Sequence, residues 1–389
     1  MGRKICVFTG GRAEYGILKP LLDEIRAEPS LDLQLLVTGM HLSREFGLTY
    51  QIIEEDGFTC DEKVEMILSS DTPVAICKSM GLGMIGFSEA LMRLQPDLFV
   101  ILGDRFESMV AATTALVCRI PIAHIQGGEL TLGAIDDHFR HSITKMSLLH
   151  FVYTAEYGNR VMQLGEHPDR VFNYGALNVD SMKKIELLSQ DQLEKELNFS
   201  LSPRSLLVTF HPVTLENDTA RDQFPELLKA IDRFDDLKVI FTKTNADTEG
   251  RVINDQIDQY VEKHPGKAAA FTSLGQLRYM SALTYVDAVA GNSSSGIIET
   301  PTFKVPTVNI GEREKGRIRA ANIIDCEPTL ASIGAALEAA LSGQFKESLA
   351  DMVSPYDKED TAKNIAKTLR DFPLPGTTKK EFYDLPEHG

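Results

Sequence analysis

Short apolar runs alternate with longer amphipathic stretches from the first residues onward. The runs are "KICVFTG" (4–10), "LDLQLLVTG" (31–39), "DLFVILG" (97–103), "IPIAHIQGG" (120–128), "LLHFVYT" (148–154) and "RVFNYGA" (170–176). Most are apolar almost throughout instead of alternating with polar residues, which is the pattern of strands covered on both faces of a parallel sheet. The rhythm pauses at a charged stretch, "KKIELLSQDQLEKELNFSLSPRS" (183–205), and then restarts. Five more runs follow: "LLVTFHP" (206–212), "LKVIFTKT" (237–244), "AAAFTS" (268–273), "VDAVAGN" (286–292) and "VPTVNIG" (305–311). This predicts an α/β protein of two domains, 1–179 and 180–359, with a closing helix within 360–389 that packs back on the first. No short repeat and no low-complexity tract interrupts the pattern.

In open α/β sheets ligands sit beyond the carboxyl ends of the strands. The polar clusters "TGGRAEYG", "GDRFES", "HIQGGE", "TFHPVT", "TKTNAD" and "GNSSSG" all fall at such ends. The expectation is therefore two Rossmann-like, doubly wound domains facing across a cleft that holds a nucleotide-type ligand.

Composition narrows the class. A chain of 389 residues fits two cores better than one. Its 40 basic and 56 acidic side chains leave a net charge of −16, which argues against nucleic acid or an anionic membrane as partner. An anionic small molecule is still compatible, because a helix N-terminus and a few arginines can outweigh net charge locally. The five cysteines, Cys6, Cys60, Cys77, Cys118 and Cys326, are odd in number and widely spaced, and read as reduced core thiols of a cytoplasmic protein. The apolar stretch after Arg3 and Lys4 is too short for a signal peptide, "MGRKIC" lacks a myristoylation signal, and no run approaches a membrane span.

"TGGRAEYGIL" turns from strand to helix through Gly10 and Gly11, with Arg12 at the exit. It is not the dinucleotide fingerprint, since the glycine spacing is wrong and no acid ends the second strand. Arg12 either sits beside phosphates or is a surface residue of an ordinary turn. In "GNSSSGIIE" a strand ends in Gly291, serines follow, and Gly296 starts an apolar helix. Backbone N–H groups and the hydroxyls of Ser293 and Ser294 then surround one spot, an anion cradle or a serine-rich cap. Glu299 either accepts from ribose hydroxyls or is solvated. Arg313, Arg317 and Arg319 in "EREKGRIRAAN" either reach the same anion or form a solvated charge run. Asp104 and His211 each follow a buried strand directly, one in each half, as ligand contacts or as helix caps.

The stretch "HIQGGELTLGAIDDHFRHSITK" (124–145) gathers an unusual number of titratable groups. Asp136 and Asp137 read as the cap and first turn of a helix with Phe139, Ile143 and Met146 on its apolar side and His138, His141 and Lys145 on another. His138 and His141 are three apart with no cysteine nearby, which does not make a zinc site. His124 and His150 read as satisfied histidines near the sheet.

Taken in order, "GGRAEYG", "GDR", "HIQGGE", "IDDHFRHSITK", "HP", "GNSSSG" and "GR" at Gly316 resemble the hydrolysing UDP-N-acetylglucosamine 2-epimerases. That resemblance runs through both halves and implies a glycosyltransferase-B-like fold. It implies loss of UDP with oxocarbenium character at C1, removal of the C2 proton to give a glycal, and addition of water with a proton returned to the opposite face of C2. The products are UDP and N-acetylmannosamine, for sialic-acid-type sugar synthesis. Groups on both faces of the ring must move protons, and no metal or nicotinamide is needed.

By the same resemblance Asp104 and Asp136 are the acid/base pair, and His211 contacts the leaving group or transfers a proton. Asp180 supports them. Arg12, Asn245, Ser293, Ser294, Glu299 and Arg317 are substrate-binding positions. One position departs from the pattern: Gln126 stands where some members have Glu. Either Glu129 supplies the carboxylate, the favoured reading, or Gln126 orients substrate or water. UDP-2,4-diacetamido-2,4,6-trideoxyglucose, a legionaminic acid precursor, is an alternative substrate; the stretch 70–91 either lines the pocket that would distinguish it or is a core helix. A glycosyltransferase and a non-catalytic nucleotide-sugar sensor are the competing functions. A homo-oligomer, dimer or tetramer, is expected.

Overall fold

The computed structural model describes residues 2–70, 72–132, 134–183, 185–212, 219–244, 250–376 and 378–385, without the side chains of residues 180, 181, 219 and 220. The chain divides into two compact units. The first comprises Met1–Glu129, Asp136–Ser181 and Lys358–Gly389, and the second Leu130–Ile135 and Met182–Asp357.

The first unit is built on seven parallel strands: β1 (Arg3–Thr9), β2 (Leu31–Thr38), β3 (Glu62–Val64), β4 (Leu98–Leu102), β5 (Ile122–Ile125), β6 (Leu149–Val152) and β7 (Val171–Asn173). Their order is β3-β2-β1-β4-β5-β6-β7, so the direction in which strands are added reverses between β1 and β4. The central strands β4, β5 and β6 are buried at every residue, because helices cover both faces. On one face Phe8 meets the rings of Phe87 and Phe99 edge-on at 5.7 and 6.1 Å. On the other, helix Arg12–Ala27 buries Tyr15, Leu18, Leu21, Leu22 and Ile25, a stripe at helical spacing. Helix Thr361–Asp371 lies against that helix and buries Ile365 and Leu369. It is tied down by Thr361 Oγ1 donating to the Tyr174 carbonyl at 2.6 Å and by Arg370 beside Glu28 at 2.7 Å.

The second unit repeats the plan with six strands: β8 (Arg204–Thr209), β9 (Leu237–Thr242), β10 (Ala268–Phe271), β11 (Ala288–Gly291), β12 (Thr307–Ile310) and β13 (Ile323–Cys326). The order β10-β9-β8-β11-β12-β13 reverses between β8 and β11. Phe210, Phe224 and Phe241 anchor one core face, and Leu207, Ile240 and Leu283 the other.

Several expectations need correction. The charged stretch 183–205 contains a helix, Gln190–Leu197, started by a reciprocal capping box between Ser189 and Gln192, and it buries Leu193 and Leu197. The hexapeptide Leu130–Ile135 belongs with the second unit, where Leu132 N–H donates to the Lys315 carbonyl at 3.3 Å. Helix Pro73–Leu94 is long and apolar enough to cross a membrane by length and composition, which the sequence did not predict. In the fold one of its faces covers the sheet with Phe87, Ala90, Leu91 and Leu94. Of the cysteines only Cys6 is buried, and Cys77 is exposed.

Candidate active site

In the first unit the ends of β1, β4 and β5 lie side by side and carry the polar clusters. Asp104 follows β4 by one glycine and pairs with Arg140. Arg140 projects from helix Asp136–Met146 and is 1 % exposed. Its Nη1 donates to the Glu129 carbonyl at 3.1 Å and lies 3.5 Å from Asp137 Oδ1. One buried guanidinium therefore joins the turn after β4, the turn after β5 and the first turn of the helix. Such a planar fork of donors fixes the orientation of the carboxylate it holds.

That helix buries Asp137, Arg140, Ile143 and Thr144, while Phe139 and Met146 are only partly covered. The face expected to be apolar is thus displaced toward polar residues. Asp136 occupies the first helical position and is partly exposed, and His138 is exposed. His141 Nε2 lies 3.5 Å from Asp137. His124 donates from Nε2 to the Gly103 carbonyl at 2.8 Å and accepts at Nδ1 from Thr144 Oγ1 at 3.1 Å. Burial drives its pKa down to about 3, so the ring is a neutral strut between β4 and the helix. His150 stands level with His124 on the neighbouring strand β6, 3.0 Å from Glu166.

Arg12 opens the helix after β1 and is partly exposed. Two turns of sequence around it hold groups that the motifs did not single out. Glu14 accepts from the Gly10 N–H. Burial pushes its carboxyl up to about 8, the hydrogen bond from Gly10 opposes the rise, and Glu107 adds to it. His41 lies between Thr9 Oγ1 at 3.0 Å and Thr49 Oγ1 at 2.8 Å, and burial lowers it to about 4.

In the second unit the ends of β8 and β11 are clamped together by Asn292. Its Oδ1 accepts from the His211 N–H at 2.7 Å and its Nδ2 donates to the His211 carbonyl at 2.8 Å. Asn292 is fully buried and sets the backbone that carries His211. Gly291, at φ 140°, would place a Cβ 1.9 Å from the Thr209 carbonyl oxygen, so only glycine fits where these strands meet. The segment after it is not one apolar helix. A single turn, Ser295–Ile298, is followed by another, Thr300–Phe303, with partly exposed Glu299 at the joint. Ser293 Oγ accepts from the Ser295 hydroxyl at 3.1 Å, and Ser294 precedes the first turn. A small crevice is lined by Thr209, Gly291, Ser293, Ser295, Gly296 and Asn309, among others.

Arg313 reaches this loop, donating to the Asn292 carbonyl at 3.0 Å. It and Arg317 flank the fully buried Glu314, each at 2.5 Å. Arg319 donates from Nε to Asp325 at 3.1 Å and from Nη1 to the carbonyls of Glu314 and Arg317 at 2.9 and 2.7 Å, closing the loop on itself. Leu130 packs beside Gly316, where an added Cβ would come within 2.7 Å of it.

A family model described as UDP-N-acetylglucosamine 2-epimerase matches residues 23–370. The chain belongs to this family. It is 44 % identical over 384 residues to a GDP/UDP-N,N'-diacetylbacillosamine 2-epimerase (hydrolyzing) of Campylobacter jejuni, covering 98 % of this chain and 99 % of that one. To the polysialic acid biosynthesis protein P7 of Escherichia coli it is 38 % identical, with 99 % and 98 % covered. The fold matches the crystal structure of UDP-GlcNAc 2-epimerase from Neisseria meningitidis bound to UDP-GlcNAc at a TM-score of 0.80, with 15 % identity and 94 % and 99 % of the two chains covered. Two parallel-sheet α/β units of this kind make a glycosyltransferase-B-like fold.

Within this epimerase-family chain the choice between Gln126 and Glu129 takes a definite form. Glu129 is fully buried, and its Oε2 accepts from Gln126 Nε2 at 3.2 Å. Gln126 is the partly exposed member, in a left-handed backbone conformation at φ 74°. Glu129 thus lies beneath Gln126 and holds its amide. Asn245 and the Asp180 side chain lie outside the described residues. Arg140, Asn292 and Glu314 were missed, since each is recognisable only by the partners the fold brings to it. The serial order Asp-Arg at 137 and 140 was the one available hint, a helical pair on a single face.

Proposed function

We propose that the chain is a hydrolysing UDP-sugar 2-epimerase that releases UDP and a 2-epimerised free sugar. What carries the reading is Asp104, a strand-end carboxylate oriented by the buried Arg140, in a chain aligned end to end with hydrolysing 2-epimerases. In the proposed reaction the C1–O bond to UDP breaks and a base takes the C2 proton, giving a 2-acetamidoglycal. Water then adds its hydroxyl at C1, and an acid returns a proton to the other face of C2. Asp104 and Asp136 are the acid/base pair, and Gln126, held by Glu129, orients substrate or water. Arg12, Ser293, Ser294, Glu299 and Arg317 bind the nucleotide, His211 serves the leaving group, and Asp180 and Asn245 support substrate binding. Preorganised donors of this kind stabilise charge as it develops on the departing diphosphate.

Two substrates fit this chemistry. UDP-N-acetylglucosamine is the reading of the motifs, while the 44 % identity to a diacetylbacillosamine enzyme favours UDP-2,4-diacetamido-2,4,6-trideoxyglucose. Incubation of each with the protein in deuterated water tests the proposal. Release of UDP with a free manno-configured sugar labelled at C2 is expected from at least one. A requirement for an acceptor, or binding of both without turnover, would overturn it.

A further inference from the structure

Helix Asp136–Met146 has the proposed chemistry at one end and a buried ion cluster at the other. Asp136 opens it, Arg140 reaches Asp104 from its second turn, and Lys145 stands in its last. Lys145 Nζ lies 2.8 Å from Glu166, a carboxylate that is 1 % exposed. His150 of β6 donates to the same carboxylate from Nε2 at 3.0 Å. Its buried Nδ1 has no partner among the described residues, and burial lowers its pKa, so the ring donates while neutral.

The second cation on Glu166 comes from the far end of the sequence. Lys380 Nζ donates to Glu166 Oε2 at 2.6 Å and to the Ser147 carbonyl at 2.7 Å. Ser147 directly follows the helix, so this ammonium also sits at the negative end of the helix dipole. The residues after it are seated on the same corner. Phe382 lies on Gly165, at φ 83°, where an added Cβ would run into its ring, and Lys145 stands 4.6 Å from the centre of that ring. Tyr383 N–H donates to the Gly165 carbonyl at 2.9 Å, and its ring meets His167 edge-on at 5.0 Å.

We infer that residues 380–383 are a strap that positions helix Asp136–Met146 for the reaction, with Lys380 as a positioning residue acting through Glu166 and Lys145. The inference rests on the reading of Asp104 and Asp136 as the acid/base pair. Asp104 holds the helix at Arg140, His124 holds it at Thr144, and the Glu166 cluster holds its end. Asp136 is nine residues from Lys145, ~14 Å along the axis, so a shift of the rod at one end is felt at the other. Misplacing a reacting group by about 1 Å can cost about 100-fold in rate. Burying these charges gains little net stability over apolar packing, so fixed geometry is what the cluster supplies. The hold depends on pH. Burial lowers the Lys380 pKa to about 8; Glu166 opposes the fall, while Lys145 and Arg170 add to it. Lys380 therefore loses its charge, and the strap its grip, as the pH rises through about 8.

Full-length Lys380→Met and Lys380→Arg test the inference through two readouts. Hydrogen–deuterium exchange of the amides of residues 140–146 needs no turnover. Lys380→Met is expected to speed it about tenfold or more, and Lys380→Arg to leave it as in the wild type. Kinetics use whichever of UDP-N-acetylglucosamine and UDP-2,4-diacetamido-2,4,6-trideoxyglucose the wild type converts. Lys380→Met should lower kcat about tenfold or more with KM changed by less than about twofold. Lys380→Arg should restore kcat and keep it to a higher pH than the wild type does. Unchanged exchange in Lys380→Met would overturn the inference whatever the activity. So would an unchanged kcat, or alkaline limbs that coincide in the wild type and Lys380→Arg. A wild type that converts neither sugar sinks the functional reading instead, and exchange alone then decides whether the strap holds the helix.

Discussion

Arg140 shows how a single buried side chain decides what its neighbours can do. It holds Asp104 on one side and the Glu129 carbonyl on the other, so the strand end that carries Asp104 and the one that carries Gln126 are positioned by one residue. Asp104→Asn and Asp136→Asn are each expected to lower turnover roughly 10²–10⁴-fold while UDP affinity, measured by calorimetry, changes little. Near-wild-type turnover in either variant would remove that residue from the reaction. A second residue-scale prediction concerns pH. His41 and His124 are pushed down to about 4 and about 3, below an unfolded value near 6.5, so the unfolded chain binds more protons below pH 6.5. Their contribution to stability is complete above pH 6.5 and is lost as the pH falls toward those values. Glu14, raised to about 8, has the opposite sign: it lowers stability as the pH rises from its unfolded value near 4.5 toward 8. Urea unfolding of Glu14→Gln should accordingly show a larger gain in stability between pH 5 and pH 8 than the wild type. An unchanged pH slope would mean that Glu14 ionises freely in the fold.

At the level of elements, the sequence was most legible where a strand is buried on both faces. All eleven apolar runs become strands, because nothing but a covered parallel sheet accommodates such runs at that spacing. The two strands it did not reveal, β3 with Glu62 and Lys63 and β13 with Asp325, are short edge strands that have one neighbour and tolerate charge. Helix Asp136–Met146 was misread in its facing for a related reason: periodicity finds apolar stripes, whereas this helix buries Asp137 and Arg140, and charges are buried only where partners exist. Helix Gln190–Leu197 hid in a charged stretch with only Leu193 and Leu197 to betray it, though the Ser189 and Gln192 pair marks its start. Ser189→Ala is expected to cost about 1 kcal/mol in denaturant unfolding through loss of that cap. An unaffected midpoint would show that packing alone fixes this helix. The strand-end position of the candidate clusters was legible from their flanking glycines, whereas their supports were not, since Asn292 and Glu314 look like ordinary loop residues until the fold places His211 and the arginines around them.

For the molecule as a whole, the path of the chain matters as much as its elements. It passes between the two units four times, at 129/130, 135/136, 181/182 and 357/358. A cut near residue 180 therefore yields no intact unit: the second would lack Leu130–Ile135, and the first would lack the helix that covers Arg12–Ala27. Truncation before Thr361 is expected to lower the melting temperature of the first unit or leave it insoluble, and adding back a peptide of residues 358–385 should recover part of the loss. A truncated chain melting like the full one would show that this helix is peripheral. Helix Thr361–Asp371 is also synthesised after the entire second unit, so until then the nascent first unit carries an uncovered apolar flank beside Tyr174 and the helix Arg12–Ala27. The first unit thus waits while about 180 residues of the second are made, some tens of seconds at ~5–20 residues per second, with that flank open to solvent.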